Sequence, residues 1–410
     1  MKAFAPAFLL ALLVSCAPAV PPLMPKQSLF KLELGTLDDQ IDLFARAGLP
    51  SPLRNNFSFY DGLVLVANGN SRKVMEFSSY GDLLTLYYNP ETNPVPSLLG
   101  TSDQSGNLAL NPVKNRRAFP YSFNEIGTIG LSSTNQLYVE DKVPVERRVY
   151  DPGQSVVWES RILRFSKDGQ FLDFLGQEGI GGTPFPAVER LTITLNGDIV
   201  VLSRTGKGWS LWWFNNLGAP TGHLEVDRTH LPVPDSPGVT LLPQLETLYA
   251  DWKRQEVQLK IDYFQETLDS TTKTPSGIQV LHSLVWIYDL AKQSYIGQYE
   301  IPQLKRERAK GAAEDPLGDR PYQFLGLNDA GSAFFLSSPE SQSQRFLVLS
   351  RTGDVQLERN IQLAGSDILF AQYAVSPQGI LTGFLSDGTS AEIAWWRSDK
   401  LLGSYVQTGF

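Results

Sequence analysis

The sequence predicts an all-β chain folded as a six-bladed β-propeller with long inter-strand insertions. A strand–turn–strand pattern recurs, most of its turns carry Gly or Asn, and unequal polar stretches separate the units. Residues 61–82, DGLVLVANGNSRKVMEFSSYGD, show the pattern clearly: an apolar strand at 63–67, a polar turn at 68–71, a second strand at 73–77 and a turn at Tyr80-Gly81-Asp82. A chain of 410 residues exceeds what one hydrophobic core usually serves. Repeat units pack only on their neighbours, so one large domain remains possible. With 42% hydrophobic residues and 19% charged, the chain has material for a core and is not disordered in composition. The net charge of -8 and the lack of a concentrated basic stretch exclude a nucleic-acid partner. Arg116-Arg117 and Arg147-Arg148 read as solvated loop pairs.

In chain order, Lys2 opens a charged start, residues 3–13 form an apolar run, and Leu13-Val14-Ser15-Cys16 ends it. This resembles the lipobox of bacterial lipoproteins, and Cys16 is the only cysteine in the chain. The resemblance implies a signal peptide over 1–15, cleavage before Cys16 and acylation there with diacylglyceryl and a further fatty acid such as palmitate. Each buried methylene contributes about 0.8 kcal/mol, so two or three acyl chains hold a protein on a membrane. The same resemblance implies a cell-envelope location, with Ala17 after the cysteine leaning toward the outer membrane or a periplasm-facing surface rather than inner-membrane retention. No other segment approaches the ~20 apolar residues of a spanning helix. Residues 17–26, APAVPPLMPK, hold four prolines and read as an extended tether, giving a lipidated, Pro-rich segment over 16–27. Residues 28–56 form an amino-terminal extension, whose apolar residues over 28–44 permit a strand that pairs with the last blade and closes the ring. The propeller proper occupies 57–410.

Six units can be counted. Their second strands are 63–66, 136–139, 198–202, 258–262, 333–336 and 381–385, and their third strands with closing turns are 74–81, 161–169, 210–218, 284–292, 345–353 and 391–400. Gly81, Gly169, Gly218 and Gly353 stand in four of the closing turns, where a positive φ costs little. The other two use Leu290-Ala291-Lys292 and Ser398-Asp399-Lys400. Short pieces at 171–174 and 295–299 fit fourth strands. Seven blades result if 28–44 joins one of the insertions.

In turn glycines and strand pattern these units resemble NHL-like propeller repeats, over residues 57–410. The whole chain resembles lipid-anchored propellers of bacterial cell envelopes. The units are interrupted or followed by 87–119, 142–157, 223–239, 266–277 and 304–320, read as long loops. Long loops on a rigid repeat scaffold commonly carry binding.

Three histidines restrict the chemistry. His223, Asp227 and His230 lack regular metal-ligand spacing in a Pro-containing stretch and read as loop residues. His282 enters an apolar strand and reads as a blade residue. No G-x-S-x-G elbow supports a Ser-His-Asp triad. Asn196-Gly197-Asp198 and Asp329-Ala330-Gly331 read as hairpin turns, since the acidic spacing of an EF-hand is missing. Glu125, Glu189, Glu246, Gln323 and Gln372 each enter an apolar run at the start of an inner strand. In one shared register they form a polar ring at the channel mouth, able to hold a cation or a ligand. The alternative is that inner strands bordering a wet channel simply carry polar side chains. That alternative is favoured because one unit offers only Ser58 or Tyr60 there. Trp212-Trp213 and Trp395-Trp396 lie in third strands, where adjacent residues point to opposite faces, so each pair packs one indole toward each neighbouring blade. The basic run at 305–310 reads as a solvated loop.

The sequence therefore points to a binding or scaffolding protein, held at a membrane by Cys16 and presenting loops to an envelope protein. No catalytic residue, cofactor or metal ligand is assigned, and oligomeric state is open. The other readings are a metal-dependent propeller hydrolase or lyase, and a glycan or small-ligand binder at the central channel.

Overall fold

A computed structural model describes residues 21–44, 54–96, 116–176, 179–180, 185–269, 271–272, 274–304, 321–337, 343–362 and 368–405. Cys16, the signal peptide, the start of the tether and the basic run at 305–310 lie outside the described residues. Two short strands, β1 (Leu23–Met24) and β2 (Gln27–Glu33), come first. Blade 1 is β3 (Asn55–Tyr60), β4 (Leu63–Asn68), β5 (Lys73–Ser78) and β6 (Leu83–Tyr88), with β7 (Arg117–Pro120) added parallel at the outer edge. Blade 2 is β8 (Ile126–Leu131), β9 (Leu137–Lys142), then a small hairpin of β10 (Val149–Asp151) and β11 (Val156–Trp158), then β12 (Ser160–Phe165) and β13 (Phe171–Gly176). Blade 3 is β14 (Val188–Ile193), β15 (Ile199–Arg204), β16 (Gly208–Phe214) and β17 (Pro220–Asp227). Blade 4 is β18 (Leu242–Ala250), β19 (Glu256–Leu268), β20 (Pro275–Asp289) and β21 (Ser294–Ile301). Blade 5 is β22 (Gln323–Leu327), β23 (Ala333–Leu336), β24 (Ser343–Leu349) and β25 (Val355–Gln362). Blade 6 is β26 (Phe370–Val375), β27 (Leu381–Ser386) and β28 (Ser390–Trp396), followed by the helix α1 (Ser398–Tyr405).

The fold is a six-bladed β-propeller, and the second and third strands counted in the sequence are the second and third strands of the six blades. Its outermost strand in blade 6 comes from the amino terminus, where β2 pairs antiparallel with β28. On the neighbouring edge β1 pairs parallel with β25 of blade 5. Six apolar clusters fill the six junctions between adjacent blades. This explains why second strands such as β4 and β23 read as unbroken apolar runs rather than alternating ones. In β4, Val64 and Val66 pack toward blade 6, while Leu65 and Ala67 pack toward blade 2. A strand covered on both faces has no side to give to water. The tryptophan pairs follow the same rule. Trp213 is buried toward blade 4 and Trp212 faces blade 2, while Trp396 is buried toward blade 5 and Trp395 faces blade 1.

Because strands alternate in direction, the connections fall on two opposite faces. First-to-second and third-to-fourth turns make one, here the turn face. Second-to-third turns and blade-to-blade crossings make the other, the insertion face. The closing-turn glycines seat each blade against the outer strand of the blade before it. A Cβ added at Gly81, Gly169, Gly218 or Gly353 would lie within 2.8 Å of Phe30, Phe119, Leu175 or Tyr299 respectively. Blade 4 inverts the arrangement: its Leu290 sits over Gly222 of β17, where a Cβ would meet it at 2.8 Å. In blade 6 the turn is replaced by α1, whose Leu401 and Leu402 pack into the junction with blade 5.

After β2 the chain folds over blade 1 on the insertion face, with a bridge between Leu34 and Ile41. Asn68 Nδ2 donates to the Asp42 carbonyl at 2.8 Å. Beneath this strap lies Lys73, 1% exposed, whose Nζ donates to the Leu37 carbonyl. Burial lowers its pKa to about 8 against the opposing pull of Asp38, Asp39 and Asp42.

Several stretches expected as loops carry ordered strand, among them 142–157 with the β10–β11 hairpin and the β7 end of 87–119. Residues 266–277 do not interrupt blade 4: β19 and β20 continue as a hairpin, paired through Leu268 and Pro275, well past the last β18 partner at Phe264. Their alternating Thr, Ile and Gln residues sustain a ladder that a polarity-based reading takes for a loop. His223 likewise lies within β17, not in a loop, paired across from Trp212.

Candidate functional site

The inner strands of all six blades enclose a central cavity of about 220 Å³. Its polar lining includes Asn56 from β3, Thr128 from β8, Glu189 and Arg190 from β14, and Gln372 from β26; Tyr249 of β18 and Leu325 of β22 supply apolar surface. Of the five sequence candidates, Glu189 and Gln372 line this cavity. Glu125, Glu246 and Gln323 are not among its lining residues.

The backbone explains the separation. Four inner strands carry a register shift against their neighbours: between Ile126 and Ile129, Val188 and Arg190, Leu245 and Thr247, and Phe324 and Gly326. The ladders of β3 and β26 run without one. A bulge re-aims side chains and breaks a common register around a ring. Glu189 and Glu246 are themselves bulge residues, so equal spacing from the apolar run does not give equal direction.

Each candidate has its own partners. Glu125 lies 2.8 Å from Lys142 Nζ and 3.3 Å from Arg148 Nη2. Burial pushes its pKa up, but the two cations outweigh this and hold it below the usual carboxylate range. Glu159 meets the same two cations, Lys142 at 3.2 Å and Arg148 at 3.1 Å, so four charges pin the base of the β10–β11 hairpin. Glu189 accepts from Arg204 Nε at 2.5 Å and Trp209 Nε1 at 3.1 Å. Glu246 faces Lys260 Nζ at 3.0 Å and accepts the Phe324 N–H of blade 5 at 3.3 Å. Burial raises its pKa despite Lys260. Gln323 is exposed, and the Gln372 Oε1 is buried without a hydrogen-bond partner.

The sequence reading missed the buried charges on second strands. Glu140 is fully buried and accepts from the Thr128 N–H at 2.7 Å, Thr128 Oγ1 at 3.0 Å, Ser160 Oγ at 3.3 Å and Arg54 Nη1 at 3.2 Å. Burial raises its pKa, opposed by Arg54 and the Thr128 donors. Arg54 also donates to the Val188 carbonyl at 2.8 Å, tying blades 1, 2 and 3 at one end of the channel. Lys260, also fully buried, lies 2.7 Å from Asp262, whose carboxylate accepts from Ser283 Oγ at 2.5 Å. The signal was present: Glu140-Asp141 follows the apolar Leu137–Val139 of β9, and Lys260 stands between Gln258 and Asp262 in β19. For buried pairs of this kind the cost of removing both charges from water offsets much of their attraction, so their presence is not by itself a source of stability.

Chemistry of the histidine type finds little footing. His223 stacks on Trp212 at 3.9 Å and its Nε2 lies 3.0 Å from Ser210 Oγ, but Glu225 approaches the same nitrogen, at 3.7 Å, and Ser210 is buried. A triad needs its carboxylate on the other ring nitrogen. His230 pairs with Asp227 at 3.3 Å in an exposed turn. Among the described residues no group of three or more His, Cys, Asp or Glu side chains is placed to hold a metal.

The insertion face differs from the turn face in its surface. Val145, Tyr150, Val233, Leu268, Ile278 and Leu369 stand exposed on its connections. On the turn face Tyr80 and Leu217 stand exposed in closing turns, and Phe171, Tyr295 and Val355 stand exposed where the outer strands leave those turns.

Comparison with solved structures returns propellers. The chain matches the Dos1 propeller at 10% identity, over 83% of this chain and 77% of that one, with a TM-score of 0.36. It matches the propeller domain of the trilobed protease from Pyrococcus furiosus, described as having an open velcro topology, at 8% identity over 84% and 83%, with a TM-score of 0.39. A protein of unknown function from Bacteroides caccae matches at 10% identity over 73% and 78%, with a TM-score of 0.33. No family model and no curated protein matches. The chain is a β-propeller by its own sheets.

Proposed function

We propose that this chain is a lipid-anchored β-propeller of the bacterial cell envelope that docks a protein partner on its insertion face. The observation carrying this reading is the segregation of the connections. Long insertions and the larger share of exposed apolar side chains fall on one face, while the other is built from tight turns seated against neighbouring blades. Exposed apolar side chains gathered on one face favour protein contact. The ion-pair cluster of Glu125, Glu159, Lys142 and Arg148 holds the β10–β11 hairpin, and a held hairpin loses little entropy on binding. Acylation at Cys16 would confine the ring to a membrane surface; residues 21–27 are docked on blades 5 and 6 rather than free, which leaves 17–20 as the link between anchor and body, and confinement raises the effective concentration of an envelope partner. The resemblance of 13–16 to a lipobox supports the anchor, and the lean toward the outer membrane or a periplasm-facing surface rests on Ala17. The units remain NHL-like only in turn glycines and strand pattern.

The anchor is tested by Cys16→Ser with cell fractionation and metabolic labelling by a palmitate analogue. The expected result is loss of label and release from the membrane fraction. Retained label, or unchanged membrane retention, would contradict it.

A further inference from the structure

We infer that the rim of the ring at blades 5 and 6 faces the lipid surface, so that the propeller stands on edge over the membrane with blade 2 on the far side. This rests on the anchoring reading and adds to it which surface of the body meets lipid.

The amino-terminal chain is built into the ring almost as far back as Cys16. β1 is the outermost strand of the blade 5 sheet, and β2 is the outermost strand of the blade 6 sheet. The Asn360 N–H donates to the Pro22 carbonyl at 3.1 Å, and Asn360 Nδ2 donates to the Pro21 carbonyl at 3.0 Å. Met24 is buried in the junction between blades 5 and 6, and Lys26 Nζ lies 2.7 Å from Glu392 of β28. Peeling this segment off the ring to lengthen the tether would bare Met24 and leave Asn360 and Glu392 without these partners, so the point of attachment stays at Pro21. Leu23, more than half exposed, stands beside it on the perimeter.

The length of chain outside the fold then limits the orientation. Pro21 is five residue steps from Cys16, at most about 18 Å when fully extended. A compact chain of this length has a radius of gyration of about 21 Å. The link is shorter than the body's own radius, so the body cannot roll far enough to bring the opposite rim to the lipid. In a ring of six, blade 2 lies opposite blade 5. The two flat faces stand to either side, which leaves the insertion face open to a partner approaching along the membrane and carries the β10–β11 hairpin on the far rim.

The test couples the processed chain, residues 16–410, to phosphatidylcholine vesicles through a maleimide-headgroup lipid. Cys16 is the only cysteine, so the point of coupling is unique, and every described residue is retained. A fluorescent non-canonical residue is placed either at Gln362, exposed at the end of β25 in blade 5, or at Leu172, exposed on β13 of blade 2. Energy transfer to acceptor-labelled headgroups is then read. Transfer is expected to be at least about twofold greater from Gln362, because the two rims differ in height by roughly twice the ~21 Å radius of gyration. Inserting about forty Gly-Ser residues between Val20 and Pro21 gives a link spanning about 35 Å and is expected to bring the two efficiencies together. Equal or greater transfer from Leu172 with the native link, or a difference that survives the long link, would each overturn the inference. Because the coupling is chemical, the result does not depend on acylation in the cell. Failure of the anchoring reading shows in the Cys16→Ser fractionation, and failure of this one shows in the transfer ratio.

Discussion

Tyr80 and Leu217 on the turn face, and Tyr150 and Leu268 on the insertion face, are all more than half exposed. The first two stand in turns whose glycines lie against the outer strand of the preceding blade, so the chain there has no room to lengthen. The latter two lie beyond the blade edge, on a hairpin stapled by charges and on strands that outrun their sheet. The same meander thus produces one face dictated by blade packing and one face free to vary. Packing determines where a repeat fold stays regular, and function is free to use what remains.

The largest expected effect breaks the turn face. Gly169 has φ +82°, and a Cβ there would lie 2.1 Å from the Phe119 ring, whereas Gly238 on the insertion face has φ +77° and nothing within 4 Å. Gly169→Ala should cost about 2–4 kcal/mol in urea unfolding, the sum of left-handed strain and overpacking. Gly238→Ala carries only the strain, about 1–2 kcal/mol. Equal costs would remove the packing argument.

Next comes the strap over Lys73. Its folded pKa of about 8 lies below the ordinary lysine value of 10.5, so between these pH values the unfolded chain holds more protons. This group's contribution to stability therefore rises as pH climbs from about 8 to 10.5, by up to about 3 kcal/mol. Lys73→Met should remove that slope when the two proteins' unfolding free energies are subtracted across the window. A flat difference would show that Lys73 is not buried under the strap.

Shortening the blade 4 hairpin, by replacing residues 268–276 with Asn-Gly between Thr267 and Gly277, should change stability by less than about 1 kcal/mol. A larger loss would make the projection part of the ring. Smallest of all, Tyr150→Ser and Leu268→Ser should stay within about 0.5 kcal/mol of the parent in the same assay, as surface substitutions do.

The ring was readable because burial on both faces writes itself into sequence: 63–66 and 333–336 have no polar residue at any phase. The closing turns were readable through their glycines, and the two exceptions proved to be a leucine seated on Gly222 and a helix cap. The channel was less readable. Arg190 follows a bulge residue, and its direction has no sequence signature. Glu189 and Glu246 share a position in the pattern yet end with different partners, because bulges turn them independently. His223 escaped because a histidine stacked on a tryptophan in an outer strand looks, in sequence, like a polar loop residue.

The insertion-face claim is tested most directly by site-specific photocrosslinking in intact cells, with the photoreactive residue placed in turn at Tyr150, Leu268, Tyr80 and Leu217. All four positions are solvent-exposed, so collision alone treats them alike. The account predicts that Tyr150 and Leu268 capture the same discrete envelope protein while Tyr80 and Leu217 do not. Equal capture from both faces, or a discrete partner captured only from the turn face, would contradict it.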